Sequence, residues 1–331
     1  MSSDCQWHVE RSKQVLKDYP EIKSYFGNYP LSIVFIVFLV ILQWSMAWLV
    51  KDMPWWMIGI VSLCIGQFIL HSLGVFVHEV AHNLILKGKF GSAFSLFLIE
   101  LGSLSFGKSL TYIGIHGKSH HMHLNDYQKD YEWWDKKQAE FLTANFLWRL
   151  GETLLHLLPG GVIIAELVLD SFIPPDPRQV KIFKKPIVLE VVLVGTSLAL
   201  HALAWYTIGW QASLYMFWSL TLLVGNWGVT FKGQSIAEHN IYQEGKTYST
   251  YSWTNIPFFN TGYHDEHHTF ANIPWIHLPK IKQIAPEYFT NDNPYSYFRL
   301  WWLWAKSIFT PVKFNRYQPE TNLVIREEAK V

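Results

Sequence analysis

Three histidines lie close together in the segment TGYHDEHH, residues 261–268. His264, His267 and His268 fall within five residues, and on a helix they would lie within an arc of about 100°. Neutral imidazole is a common ligand of iron, copper and zinc. Because short His-rich tracts also occur in polar surface turns, this segment alone is compatible with either a metal site or a surface turn.

Three other segments contain histidines at spacings that suit metal binding. His78 and His82, in HEVAH, are four residues apart and share one face of a helix. The segment HGKSHHMH begins at residue 116, and His239 lies in AEHN. HEVAH also matches the HExxH signature of zinc proteases, with Glu79 as the base, but that interpretation leaves the other clusters unexplained.

The middle segment admits two sets of ligands. His116, His120 and His121 are the obvious set, and on an ideal helix they spread over an arc of about 140°. Replacing His121 with His123 narrows the arc to about 60°. Since Gly117 can loosen a helix at this point, periodicity does not decide, and His123 stays an alternative ligand.

Over the four segments, nine histidines are candidate ligands. One six-coordinate metal cannot use nine imidazoles, whereas two metals can, with positions left for water, oxygen or a bridging ligand. A carboxylate-free pair of metals surrounded by imidazole suits redox iron better than magnesium or calcium, which prefer oxygen ligands. The candidates are His78, His82, His116, His120, His121, His239, His264, His267 and His268.

Two histidines outside these segments are expected to have other roles. His71 lies two turns before His78 and about 10 Å farther along the helix axis, which is too far to share a metal. A hydrogen-bonded structural role is favoured for His71 over contact with a substrate. His8 is expected to be solvated.

Composition limits the classes of protein that fit the chain. The 331 residues are 50% hydrophobic and 17% aromatic, with a formal net charge of +1. Without a strong basic field, the protein as a whole is not expected to bind nucleic acid. Cys5 and Cys64 share no metal-site or redox spacing, so no disulfide framework is indicated and a catalytic region facing the cytosol fits.

Four long apolar runs predict an all-α integral membrane protein. A run of about 20 apolar residues spans a bilayer, and short connections suggest that the four runs form two hairpins; buried helices of a large soluble domain are the alternative. The runs cover about residues 31–50, 55–77, 186–208 and 211–231. Weaker stretches at 92–113 and 152–173 fit interfacial or re-entrant helices, and 298–309 fits an interfacial helix or a packed C-terminal core helix.

This pattern predicts the division of the chain. Residues 1–30 would form a cytoplasmic N-terminal segment, residues 31–319 a membrane domain and residues 320–331 a C-terminal tail. Lys and Arg are frequent in the long segments that follow each hairpin, consistent with the positive-inside tendency. Both termini and all the His segments would then lie on the cytoplasmic side, where the His segments form a cap over a multi-pass membrane region.

The flanks of the His segments resemble a known family. Three His boxes, HEVAH at 78–82, HGKSHH at 116–121 and HDEHH at 264–268, resemble those of the membrane fatty-acyl desaturase and hydroxylase superfamily. The resembling stretches include HSLGVFVHEVAHN at 71–83, GQSIAEHN at 233–240 and GYHDEHHTFANIPW at 262–275. The similarity is greatest to its sphingolipid Δ4-desaturase branch, which acts on dihydroceramide. Three departures from the family pattern stand out. In the middle box, three residues rather than two separate His116 from His120. Gln234 stands where the animal enzymes have a histidine, and residues 122–134, after the His pair, differ from the animal pattern.

The resemblance implies a chemistry and a cellular location. It implies a diiron centre held by the nine histidines, O2 as co-substrate, and electrons from NADH that arrive through cytochrome b5 and its reductase. It also implies the endoplasmic reticulum membrane and a trans double bond between C4 and C5 of dihydroceramide. Asp265, Glu266 and Gln234 are expected to lie behind the ligands and to orient them; for Asp265, a solvated surface charge is the alternative.

Other functions stay open at this point. The superfamily also includes acyl-lipid desaturases and sphingolipid C4-hydroxylases, which differ in product. A membrane haem protein or metal transporter is the alternative of another class. Transporters usually place polar ligands near the membrane midplane, whereas these clusters follow the ends of the apolar runs, which argues against transport.

Overall fold

The computed structural model describes residues 2–126, 129–132, 145–172, 186–239, 247–306 and 308–309. This part of the chain is helical, and its one β-type contact is an isolated bridge between Ser249 and Asp292. The all-α prediction is confirmed for these residues. The helices are α1 Ser3–Asp18, α2 Ser32–Leu49, α3 Trp55–Ala81, α4 Gly88–Ser103, α5 Lys108–Ile115, α6 Phe146–Leu155, α7 Gly161–Phe172, α8 Ile187–Thr207, α9 Trp210–Val224, α10 Val229–His239, α11 His264–Thr269, α12 Leu278–Ile284 and α13 Tyr297–Lys306.

Three helices, α2, α3 and α8, are long and apolar enough to cross a membrane. Their surfaces differ because α3 packs between its neighbours while α2 and α8 lie outside. Phe38 on α2 is 58% exposed and Val188 on α8 is 75% exposed. Large apolar side chains exposed in rows indicate contact with lipid rather than water. Three of the four predicted crossings therefore correspond to continuous apolar helices.

The fourth predicted crossing, residues 211–231, is divided in the structure. Helix α9 has 15 residues, about 22 Å of helix, which is shorter than the roughly 30 Å hydrocarbon core of a bilayer. The chain leaves the helix at Gly225 and begins α10 at Val229. The four-crossing topology is not confirmed, and α10 instead places His239 in its last turn.

The predicted weaker stretch at 92–113 forms a helix–turn–helix, α4 and α5, that packs against α2 and α3. Its turn is closed by the buried Glu100, which accepts hydrogen bonds from Ser105 Oγ at 2.7 Å and the Gly107 N–H at 3.3 Å. The hydroxyl of Ser197, on α8, also donates to Glu100. Irregular backbone within an apolar protein is tolerated where such partners satisfy its polar groups. This turn returns the chain to the His-containing end of α3.

The C-terminal helix α13 is a packed helix with one exposed side. It lies against α10 so closely that a Cβ on Gly233 would be 2.1 Å from the carbonyl oxygen of Tyr297. Tyr297 and Trp304 are buried, whereas Trp302 is 55% exposed. The buried face supports the core-helix interpretation of residues 298–309, and it fixes the position of α10 and thereby of His239.

Replacing Glu100 tests the closure of the α4–α5 turn. Glu100→Ala leaves several buried donors without an acceptor, so we expect the free energy of unfolding to fall by about 1–3 kcal/mol. Glu100→Gln keeps one acceptor oxygen, so its free energy of unfolding should fall by less. Thermal unfolding in detergent measures both, with Glu21→Ala, at an exposed position, as the control; equal stability of all three variants would contradict the assigned role.

Candidate metal centre

The end of α3 presents the first two candidate ligands. His78 lies in the last turn of α3 and His82 follows as its C-terminal cap. Their ring centroids are 5.0 Å apart, as expected for side chains spaced i, i+4 on one helix face. The pair therefore lies at the end of a candidate membrane span.

A π-helical turn positions the middle segment. Residues His116–His120 form this turn directly after α5, and a π turn brings residues i and i+5 together where an α-helix would not. The Nε2 atoms of His116 and His121 are accordingly 3.1 Å apart. The wider turn explains why ideal α-helical periodicity favoured His123, which belongs to neither group of converging side chains.

Helices α10 and α11 supply the remaining imidazoles. His239 ends α10, and His264 begins α11. The Nε2 atoms of these two residues are 2.8 Å apart. His267 and His268 follow on α11, and adjacent residues on a helix point about 100° apart, so they face different neighbours: His267 Nε2 is 3.2 Å from His121 Nε2, and His268 Nε2 is 3.3 Å from His120 Nε2.

All nine predicted histidines are brought together in two adjacent groups. Within each group the potential ligand atoms lie within 4.8 Å of one another. The middle segment and α11 each contribute to both groups, because consecutive residues such as His120 and His121 point apart. One group contains His78, His82, His116, His121 and His267, and the other contains His120, His239, His264 and His268.

The electrostatics of the groups favour metal binding. Burial, together with the neighbouring imidazoles, lowers the pKa of His116, His121, His267 and His268 well below the ordinary value, and burial lowers the pKa of His82 to about 4. The rings are therefore neutral near pH 7, which is the form that binds metals. Several neutral rings with nitrogens about 3 Å apart fit a shared cation, and imidazole is a ligand of iron, zinc and copper.

Acidic residues that sequence reasoning missed contact the outer ring nitrogens. Glu132 lies 2.6 Å from His116 Nδ1, Asp130 lies 3.0 Å from His120 Nδ1, and Glu238 lies 3.4 Å from His264 Nδ1. At His116 and His120 the carboxylate is hydrogen-bonded to Nδ1, which fixes the tautomer that turns the Nε2 lone pair inward. In the sequence, these three residues are distinguished only as acidic residues close to a His segment. Their contacts with the imidazoles form only in the folded chain, so the sequence does not separate them from solvated acidic residues.

Glu132 also corrects the expectation of carboxylate-free surroundings. Its two oxygens reach both groups, with Oε1 near His116 and Oε2 3.9 Å from His120 Nε2. These three residues form a further set in which a carboxylate oxygen is close enough to join two imidazoles on one ion. A carboxylate can thus approach the boundary between the two groups.

Asp265 and Glu266 are buried, but their hydrogen bonds go to other groups than the imidazoles. Asp265 accepts from Thr247 and Arg11, and Glu266 accepts from Ser249 Oγ and Tyr251 OH, each at 2.6 Å. Burial raises the pKa of Glu266 to about 7, against the opposing effect of these hydrogen bonds. The two carboxyl groups anchor the helix α11 rather than its histidine rings.

The N-terminal helix α1 packs directly on α11. Arg11 is 9% exposed and forms a forked ion pair with Asp265, with N–O distances of 2.8 and 3.0 Å. Its guanidinium also donates to the hydroxyl of Thr269. His8 is 4% exposed, and its ring centroid is 5.5 Å from that of His268. The expectation of a solvated His8 is wrong, because the amphipathic α1 buries this face against α11.

His71 and Gln234 are hydrogen-bonded to each other. His71 Nε2 lies 2.5 Å from Gln234 Oε1, and His71 Nδ1 lies 2.8 Å from Thr230 Oγ1. His71 thus has the expected structural role and joins neither imidazole group. Gln234 contacts His71 and Thr261 rather than a candidate ligand.

Comparison with known proteins places the chain in the fatty acid desaturase family. The family model described as fatty acid desaturase matches residues 54–307. The sphingolipid delta(4)-desaturase DES1 of Homo sapiens is 29% identical over 97% of this chain and 94% of its own length. The protein of the same name from Drosophila melanogaster is 31% identical, with 87% and 86% covered. A DES1-like protein of Oryza sativa subsp. japonica is 28% identical, with 89% and 86% covered. No solved structure matches the chain.

Two neighbouring histidines give a matched test of the ligand set. His121→Ala removes a member of the five-histidine group, and we expect metal affinity to fall by about 10–100-fold or more. Removing a residue that only orients a metal ligand already lowers the affinity by about that factor. His123→Ala removes an imidazole two residues away and should retain the metal. Metal content per chain after dialysis against a chelator measures the difference, and equal loss in both variants would overturn the assignment.

The Arg11–Asp265 pair gives a second test. Arg11→Met leaves a buried carboxylate without its partner, which should destabilise the protein by about 3–5 kcal/mol and loosen α11. The double variant Arg11→Met with Asp265→Asn should recover part of that stability, because no charge is left buried. Thermal unfolding and metal content together measure both effects. Lys17→Met, at an exposed position of α1, is the control; additive losses in the double variant would argue against the pair.

Proposed function

The chain belongs to the fatty acid desaturase family, and we propose that it is a sphingolipid Δ4-desaturase that converts dihydroceramide to ceramide. As a desaturase it is an oxidoreductase. The observation that carries the proposal is the convergence of nine imidazoles into two adjacent groups at the end of a candidate membrane helix. The names of its relatives support the sphingolipid substrate.

We propose that the nine histidines hold two iron ions, one in each group. Such a pair would supply the redox chemistry needed to reduce O2 and to break an unactivated C–H bond. The protein contributes neutral imidazoles, oriented from behind by Asp130, Glu132 and Glu238. It also keeps bulk water away, since most of these rings are buried. A dry, rigid surrounding favours the positioning of a substrate chain.

The overall reaction balances as a four-electron reduction of O2. Dihydroceramide loses one hydrogen from C4 and one from C5, which supplies two electrons and two protons. Two further electrons come from NADH through cytochrome b5 and its reductase, and two protons come from the medium. The products are a trans C4–C5 double bond and two molecules of water.

The architecture supports a membrane substrate. Helix α3 passes from the apolar region directly into His78 in its last turn, so a lipid chain lying along α3 would approach the imidazoles without leaving an apolar environment. We propose that the protein lies in the endoplasmic reticulum membrane with both termini and the imidazole groups on the cytoplasmic side. Residues 1–30 and 31–319 would then form the cytoplasmic segment and the membrane domain.

Expression in cells that lack sphingolipid Δ4-desaturation tests the proposal. We expect mass spectrometry of long-chain bases to show the C4–C5 double bond with the wild-type chain. His267→Ala or His268→Ala should abolish the product at unchanged protein level, whereas His123→Ala should not. A 4-hydroxylated base as the main product would identify a C4-hydroxylase, and altered acyl chains with unchanged dihydroceramide would identify an acyl-lipid desaturase.

A further inference from the structure

A cavity lies against both imidazole groups. Its wall includes His78 and His267 from the five-histidine group and His264 from the other. Its volume is ≈ 40 Å³, which is room for about three groups the size of a water molecule. A reacting carbon pair has to lie beside both metal positions, so the few atoms that enter this cavity are those next to the site of reaction.

The wall of the cavity is divided between apolar and polar side chains. Val75, Phe259 and Leu278 are apolar. The polar wall includes several groups that are already engaged: Glu132 and Tyr112 contact His116 Nδ1, at 2.6 and 3.3 Å, and Glu79 accepts from the backbone N–H of Trp275. A site made to hold the middle of a plain acyl chain has no use for a polar wall, because only CH2 groups lie there.

Two neutral polar residues of the wall, Gln234 and Thr261, contact no candidate ligand. They end a hydrogen-bonded chain that begins at Thr230. Gln234 Oε1 can only accept, so His71 donates to it from Nε2, and His71 Nδ1 lies 2.8 Å from the Thr230 hydroxyl oxygen. Gln234 Nε2 in turn donates to Thr261 Oγ1 at 3.1 Å.

The direction of this chain determines what Thr261 can do. Because its oxygen accepts from Gln234, its own hydroxyl hydrogen is available to an acceptor in the cavity. Among the described residues no acceptor for that hydrogen is found. Thr261 precedes His264 by three residues, and Gln234 precedes His239 by five, so the donor is held at a fixed position relative to the four-histidine group.

We propose that Thr261, aimed by Gln234 and His71, donates a hydrogen bond to the C3 hydroxyl oxygen of the sphingoid base and so determines substrate specificity. This inference rests on the proposed Δ4-desaturation. In that reaction C3 is bonded to the reacting carbon C4, so its hydroxyl has to enter the same small cavity. The contact selects a lipid with an oxygen next to the reacting carbons, which a mid-chain acyl substrate lacks.

The test compares two lipids in one protein preparation: short-chain dihydroceramide and its 3-deoxy analogue. With wild-type protein we expect kcat/KM to favour the 3-hydroxy lipid by about 3–10-fold, the usual effect of one hydrogen bond. In Thr261→Val the preference should fall to near one, and in Thr261→Ser it should persist. Since the preference is a ratio within one preparation, the fraction of chains that contain metal cancels.

Thr250→Val is the matched control. Thr250 is a buried threonine in the segment before α11, and its hydroxyl has no hydrogen-bond partner among the described residues, so this variant should keep the wild-type preference. Thermal stabilisation of the protein by each lipid provides a second readout, which discriminates the two lipids even in a variant that turns over neither. The same loss of discrimination is expected in Gln234→Leu, where the hydroxyl is no longer aimed.

The outcomes separate this inference from the proposed function. If wild-type protein forms no C4–C5 double bond in dihydroceramide, the proposed function fails and the contact fails with it. If it forms that bond but treats both lipids alike, or if Thr261→Val discriminates as well as wild type in both readouts, the contact is overturned and the desaturase function stands.

Discussion

Nine imidazoles packed against one another in a protein interior are the constraint on which the rest of the structure depends. Each neutral ring has a lone pair that must face something positive, and nitrogens about 3 Å apart repel unless a proton or a cation lies between them. With its pKa lowered by burial, a ring such as His267 stays neutral and carries a single N–H, so it cannot supply a proton at both of its nitrogens. The arrangement therefore suits cations shared between the rings, and the surrounding elements keep the rings in place.

Helix geometry converts four short segments into two groups. The i, i+4 pair at the end of α3 faces one way, while adjacent residues of α11 divide between the groups because they point about 100° apart. The middle segment needs a π turn to bring His116 and His121 into one group, since on an α-helix these two side chains would diverge. Carboxylates behind the rings hold their Nδ1 atoms, and the Arg11–Asp265 pair connects α11 to the N-terminal helix.

The lipid environment imposes the second requirement. Helices α2, α3 and α8 are long and mainly apolar. The irregular turn between α4 and α5 is tolerated beside them because Glu100 and Ser197 form hydrogen bonds with its polar groups. The end of α3, with His78, therefore lies at the boundary between the apolar helices and the imidazole groups. A reaction on a lipid carbon chain needs this boundary.

The sequence by itself determined the candidate ligands, the apolar runs and the family resemblance, because residue type, short spacing and hydrophobic run length are local properties. It could not divide the nine histidines between two groups, since that division depends on helices distant in sequence. It indicated His121 as a candidate and His123 as the alternative, because periodicity alone preferred His123 while Gly117 could loosen the helix; the π turn in the folded chain brings His121 rather than His123 into a group. It likewise expected a solvated His8 and one continuous segment at 211–231. The burial of His8 depends on packing against α11. At the break after α9, the Asn226 N–H donates to His156 Nδ1 and the Val229 N–H donates to Gln67 Oε1, and such contacts exist only in the folded chain.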